Sequence, residues 1–240
     1  MKRVLASTIL ALLCSAGSTQ GLDEIVVTGS RISPSSIDFD AVPVVHIERR
    51  PDFMVVSAFV ESDSRRADLR RSEVNKTLAN LAKRAENEAL IELGLLRRFE
   101  TGDDDIEYVI PFSMDEAVMV NGYRADTSRV NLVVKSPVRE SDASPDEIYE
   151  RIEAFLDEVS VNGRAVVSDT GDTNFSLVKI AQYREPLLRK LADETALLRS
   201  IFGDEYHVSI GGFDETLRWR TTGPMTLAIY FPYSASIAVD

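Results

Sequence analysis

Cysteine is the first scarcity: Cys14 is the only one in 240 residues, and it lies in the N-terminal stretch. A chain cut behind it holds no thiol, no disulfide and no cysteine metal ligand. Histidine is nearly as rare, with only His46 and His207, which leaves little for a histidine metal site or a triad base. Basic charge is also in deficit. Lys and Arg number 27 against 39 Asp and Glu, and the resulting net charge of −12 repels polyphosphates and anionic headgroups, so nucleic acid is excluded as a partner. No HExxH, GxSxG, phosphate loop or dinucleotide fingerprint occurs, so no catalytic residue, cofactor site or metal site is assigned and the chain reads as a non-enzyme. A periplasmic enzyme or small-ligand protein, with a site assembled from scattered carboxylates, is the alternative that sequence leaves open.

What is present begins with a leader. Residues 1–21, "MKRVLASTILALLCSAGSTQG", place Lys2 and Arg3 before an apolar stretch and then small residues, the three-part order of a secretory signal peptide. The apolar stretch from Val4 to Leu13 is about half the roughly 20 residues that a spanning helix needs, so the mature chain is expected to carry no transmembrane span. Cleavage after Ala16 and cleavage after Gly21 both leave small residues at the cut. Lipidation of Cys14 is the other alternative, disfavoured by the bulky Leu13 before it. Residues 22–43 follow as an extended segment and a linker, "SPSSIDFDAVPVV" being rich in Ser, Pro and Asp without a sustained period.

The folded part is expected over 44–240. A strand should start just after Pro51, with a bulge near Ser57. A long helix should follow through "RADLRRSEVNKTLANLAKRAENEALIELG", with Val74, Leu78, Leu81, Ala85 and Ala89 in one stripe and Gly94 as its stop. Strands are expected at 107–113 and 128–138, with a tight hairpin at Asn121-Gly122. The clearest local signal is "SPDEIYERIEAFLDEVS". Ser144 caps, Pro145 takes the first helical position, Glu147 completes a capping box, and Ile148, Ile152, Phe155 and Val159 form the buried stripe. A third helical region covers roughly 176–202, kinked or restarted at Pro186, with Leu187, Leu191, Leu198 and Phe202 inward and Gly203 closing it. Two further strands end the chain. The fold class expected from this order is α+β, mostly antiparallel sheet covered by two or three long amphipathic helices.

Two resemblances follow from quoted residues. "RPDFMVVSAFVESDSRRADLRRSEVNKTLANL" and "FSLVKIAQYREPLLRKLADETALLRSIFG" resemble the SIMPL family of bacterial envelope proteins, over about residues 44–240. Pro186 and a helix poorer in Ala than the family's depart from the pattern. The resemblance implies secretion across the inner membrane to the periplasm or outer envelope of a Gram-negative cell, and self-association as a homo-oligomer; it implies no catalytic residue. "DEIVVTGSRI", residues 23–32, resembles the TonB box of TonB-dependent outer-membrane receptors, which implies a TonB-type energy-coupling protein as partner. Glu24, Ile25, Val26, Val27, Thr28 and Gly29 are the candidate partner-binding residues, an extended run ended by Gly29 that can add as a strand to a sheet edge. A full receptor is excluded by length, since 22 strands of ~9 to 11 residues take about 200 residues before any turn or plug.

The remaining candidates favour structural readings. "SDTGDTN" at 168–174 puts Asp169, Asp172 and Asn174 in what reads as a hairpin turn, without the ligand spacing of a calcium loop. Asp103, Asp104 and Asp105 read as a solvated turn, and Trp219, Tyr230, Phe231 and Tyr233 as strand residues packing a core.

Overall fold

The computed structural model describes residues 24–27, 42–101, 104–203, 205–212 and 214–239. The expected signal peptide at 1–21, Cys14, Asp103, and Thr28 and Gly29 of the candidate docking segment lie outside the described residues. The strands are β1 (Glu24–Val27), β2 (Ile47–Arg49), β3 (Phe53–Ser62), β4 (Glu92–Thr101), β5 (Asp104–Pro111), β6 (Met119–Val120), β7 (Ser128–Pro137), β8 (Ala165–Val178), β9 (Tyr206–Gly211), β10 (Arg218–Gly223), β11 (Thr226–Tyr230) and β12 (Ser234–Val239). The helices are α1 (Ala67–Ala85), α2 (Pro145–Asp157) and α3 (Arg184–Phe202), the last preceded by a 3-10 turn at Ile180–Tyr183.

Seven strands form one antiparallel sheet in the order β3-β8-β1-β5-β4-β7-β6, and β3 also pairs with β7. Six of them therefore close into a barrel, with β6 attached outside the ring. Closure is confined to one end. β3 runs its full length between β7 and β8, whereas β4 meets β7 only at residues 92–94, and β1 lies along 175–178 of β8. Beyond that end, the three long strands continue as a sheet.

Alternation decides which side chains go where. Val56, Ala58 and Val60 of β3 share a face with Val130, Leu132 and Val134 of β7, and this face is buried under Val74, Leu78 and Leu81 of α1 and Ile148, Ile152 and Phe155 of α2. The opposite face carries Phe53, Val55 and Val133, which meet Val26, Leu96 and Val109 in a separate small cluster that fills the barrel lumen. Gly94 belongs to this inner face. A Cβ there would run into the side chains of Val109 and Val133, so glycine is what lets β4 come close enough to close the ring.

The expected α+β architecture is overturned. The chain is mostly β, with 40% strand against 29% helix, and its main sheet is a closed barrel. Two local features account for the difference. The helix expected to run to Gly94 stops at Ala85, and residues 92–101 become the strand that bridges β5 and β7. Residues 24–27, ahead of the expected linker, supply the strand that joins β5 to β8. Without these two segments the sheet would stay open, and the sequence pattern of an open sheet with helices on one face would hold.

Smaller differences have equally local causes. "SDTGDTN" is not a hairpin turn but a bulge inside β8: across from Ser57, the register jumps from Thr173 at Val56 to Asp169 at Ala58, and Gly171 takes φ +77 there. The Asn121-Gly122 hairpin has a longer connection, since Val120 pairs with Arg129 rather than closing a two-residue loop. Phe202 is 42% exposed instead of inward, and its ring meets that of Tyr206 at a tilt of 59° with centroids 5.8 Å apart. α2 forms as the sequence indicates: Ser144 Oγ accepts from the Glu147 amide, and the Glu147 carboxylate accepts from the Ala143 amide.

One buried carboxylate fixes α2 to the barrel. Asp142, 3% exposed, accepts from the Arg139 amide and from the guanidinium groups of Arg139 and Arg151, and Arg151 also donates to Ser136 Oγ on β7 at 2.7 Å. Burial pushes the Asp142 carboxyl up, but the donors from Arg139 and Arg151 outweigh it and hold the group at about 2. A depressed folded value contributes stability above the ordinary carboxylate range that is lost as pH falls through about 2. The shift corresponds to about 2 kcal/mol. Asp142→Asn is expected to lower the denaturant midpoint at pH 7 and to flatten the fall in stability between pH 5 and pH 2. Parallel urea titrations at the two pH values, with equal acid sensitivity in both proteins as the contrary result, check this.

Candidate functional site

The segment singled out in the sequence for partner binding is built into the molecule's own sheet. β1 pairs with β8 through Glu24–Val178, Ile25–Leu177, Val26–Ser176 and Val27–Phe175, and with β5 through Ile25–Tyr108. Both of its edges are thus occupied. Ile25 turns outward into the large core and is 2% exposed; Val26 turns into the lumen and is 3% exposed. β-branched side chains at both positions suit a strand that is buried on two faces.

Glu24 sets the register. Its carboxylate accepts from Lys135 Nζ at 2.5 Å and from Ser176 Oγ at 2.6 Å. Lys135 is itself 5% exposed and has two more partners, the Glu92 carboxylate at 3.0 Å and the ring of Phe53, whose centroid lies 4.3 Å from Nζ. In the ring of strands, β1 and β7 stand diametrically opposite, separated by β5 and β4 on one side and by β8 and β3 on the other. The Glu24–Lys135 pair is therefore a brace across the lumen, where a buried ammonium needs a fixed anion.

The balance that holds β1 is narrow. Burying Ile25 and Val26 stabilises by about 1.5–3 kcal/mol each, while ordering four residues of backbone costs about 1–2 kcal/mol each. These terms nearly cancel, which leaves the ladder hydrogen bonds and the Lys135 cluster to decide whether the strand stays.

No family model, no curated protein and no solved structure matches the chain.

The other candidates separate clearly in space. His46 hydrogen-bonds the carbonyl of Pro43 just ahead of β2, and His207 is exposed on β9, in a different sheet. Tyr230 and Phe231 are buried, and Trp219 and Tyr233 pack partly buried against the core; Trp219 and Tyr230 are strand residues, whereas Phe231 and Tyr233 lie in the β11–β12 connection. Asp169 caps the bulge by accepting from the Gly171 amide at 2.7 Å. Among the described residues no group of three or more His, Cys, Asp or Glu side chains could hold a metal ion, and no helix is long and apolar enough to cross a membrane.

Sequence reasoning missed an open surface cavity of about 590 Å³ between the β3–α1 and α2–β8 connections, lined by Asp63, Arg124, Arg164 and Tyr123 among others. Arg164 grips Asp63 through two hydrogen bonds, of 2.6 and 2.8 Å, and Arg124 adds a third at 3.4 Å. The Arg164 hydrogen bonds hold the Asp63 carboxyl below its ordinary range. Each arginine thus spends charge on an internal carboxylate. The three residues are too far apart in sequence for spacing to have linked them. The Lys135 cluster was hidden for the same reason, although a single lysine in the apolar alternation of "VNLVVKSPV" is a signal that could have drawn attention to it.

Replacing Lys135 with Met should release β1 before it unfolds the barrel, because leaving Glu24 buried without its cation costs about 3 kcal/mol or more. Hydrogen exchange read by mass spectrometry is expected to show protection of residues 24–27 falling by about a hundredfold, with α2 amides little changed. A uniform fall across all elements would show instead that β1 and the barrel open only together.

Proposed function

We propose that the chain is a non-enzymatic protein of the bacterial cell envelope, exported by its N-terminal leader, that acts by binding other envelope proteins through strand pairing. The observation that carries this reading is that the TonB-box-like residues Glu24–Val27 are a paired strand, with Ile25 and Val26 buried. A segment already shaped to pair on both edges is suited to adding to a partner's sheet when it leaves its own. The leader pattern at 1–21 and the resemblance to SIMPL proteins support the compartment, and a TonB-type energy-coupling protein is the partner that the resemblance of residues 23–32 favours. Self-association is the second mode. It is supported by the exposed apolar residues Leu197, Ile201 and Phe202 along the last turns of α3, a concentration that soluble surfaces usually put to use.

The buried state of β1 has a direct consequence for this function. Docking through residues 24–27 competes with barrel closure, so the free segment should bind better than the same segment inside the protein. A peptide of residues 22–32 is expected to shift resonances of a TonB C-terminal domain at millimolar concentration, the intact protein to do so more weakly, and the Lys135→Met protein to recover part of the difference. No shift with the peptide would remove the TonB-type partner. Cell fractionation with mass measurement of the mature N-terminus tests the compartment, and an uncleaved cytoplasmic chain would overturn it.

A further inference from the structure

The slot between β8 and β5 contains everything needed to recognise a strand, and every recognised feature belongs to the strand itself. Lys135 and Ser176 read the carboxylate of Glu24, the outer core takes Ile25, and the lumen takes Val26. None of these contacts depends on which molecule supplies the strand. β1 also makes no hairpin with either neighbour: the Ser176–Glu24 hydrogen bond joins residues 152 apart in sequence. Its departure from the slot unpairs its own ladders and no other.

We propose that the slot accepts β1 from a second copy of this chain, so that two chains exchange their N-terminal strands and each closes the other's barrel. Residues 28–41 connect β1 to the rest of the chain. Fully extended, a link of that length reaches roughly 50 Å, whereas a domain of this size has a radius of gyration of roughly 17 Å. A neighbouring molecule is within reach without unfolding either barrel. The exchanged pair keeps every contact of the closed monomer, and the cost is one association event. Closure on itself competes at an effective concentration in the millimolar range, so exchange in the native protein rises with chain concentration. The inference rests on the reading of β1 as a pairing strand and names a second copy as the partner. The two fail separately, because exchange needs no TonB-type protein and peptide docking needs no second copy.

The diametric brace supplies the test. In Glu24→Lys, the strand presents an ammonium to the Lys135 of its own slot; in Lys135→Glu, the strand presents a carboxylate to a slot lined by another. Each variant is mispaired with itself. Mixed in equal amounts, they can form a heterodimer in which both braces are correct. In one barrel the lysine introduced by Glu24→Lys meets the glutamate introduced by Lys135→Glu, and in the other the native Glu24 meets the native Lys135. The exported full-length chains, mixed at physiological salt and read by native mass spectrometry, are expected to give heterodimer at least tenfold above either homodimer. The double variant Glu24→Lys/Lys135→Glu restores its own brace and should match the wild type in oligomeric mass, with a denaturant midpoint above that of either single variant but below the wild type, because the new glutamate faces Glu92 and loses the Phe53 ring. A mixture containing only the species each variant shows alone, beside a well-folded double variant, overturns the exchange. A double variant no better than the single ones removes the Glu24–Lys135 register and the proposal with it. If a single variant does not fold alone, co-expression decides: recovery of both chains as a 1:1 complex supports exchange, and recovery of neither overturns it.

Discussion

The barrel depends on a buried ammonium. Lys135 lies in β7 at a position where the alternation calls for an apolar lumen residue, and its Nζ is almost completely withdrawn from solvent. A lone charge there would cost several kcal/mol, so the site is stable only with anions delivered to it. Two strands deliver them, β4 through Glu92 and β1 through Glu24, and Phe53 offers its ring face on a third side. The demand of one cation thus draws together β7, β4 and β1, two of which stand on opposite walls. The lumen valines Val26, Val55, Val109 and Val133 pack beside that brace.

The brace also limits what the barrel can do. Eight strands enclose just enough room for their own side chains, and six enclose less. Here the space is taken by valines, Leu96 and Phe53 with Lys135 among them, and at Gly94 even a methyl group has no room. The lumen is structural. The features left at the surface are the exposed apolar residues at the end of α3 and the cavity where Arg164 and Arg124 converge on Asp63.

The two parts of the structure are unequally legible in the sequence. α2 can be read almost residue by residue, because Ser144, Pro145 and Glu147 determine its start through contacts within four positions, and the 3.6-residue stripe from Ile148 to Val159 is buried as expected. Strands β3, β5 and β7 are legible through alternation and turn residues. Barrel closure is not, because it is decided by pairings between segments far apart in sequence. In "ELGLLRRFET", residues 92–101, Gly94 reads locally as a helix stop, and only its close packing against Val109 and Val133 shows it to be an interior position of a strand. Residues 24–27 read as strand-forming, but the motif they resemble directs the search for a partner outside the molecule. The partner is β8, and nothing local in "EIVV" points to Val178.

The position of β1 also orders events during synthesis. It is the first described segment to leave the ribosome, and its ladder partner, residues 175–178, is made only after α1, α2 and most of the barrel wall. Until then Ile25 and Val26 have no slot, and Lys135 lacks its cross-lumen anion. The earliest strand therefore has no ladder to join until residues 175–178 have been made. The residues that wait longest in the sequence for their ladder are the same ones that any partnership made by this strand would use.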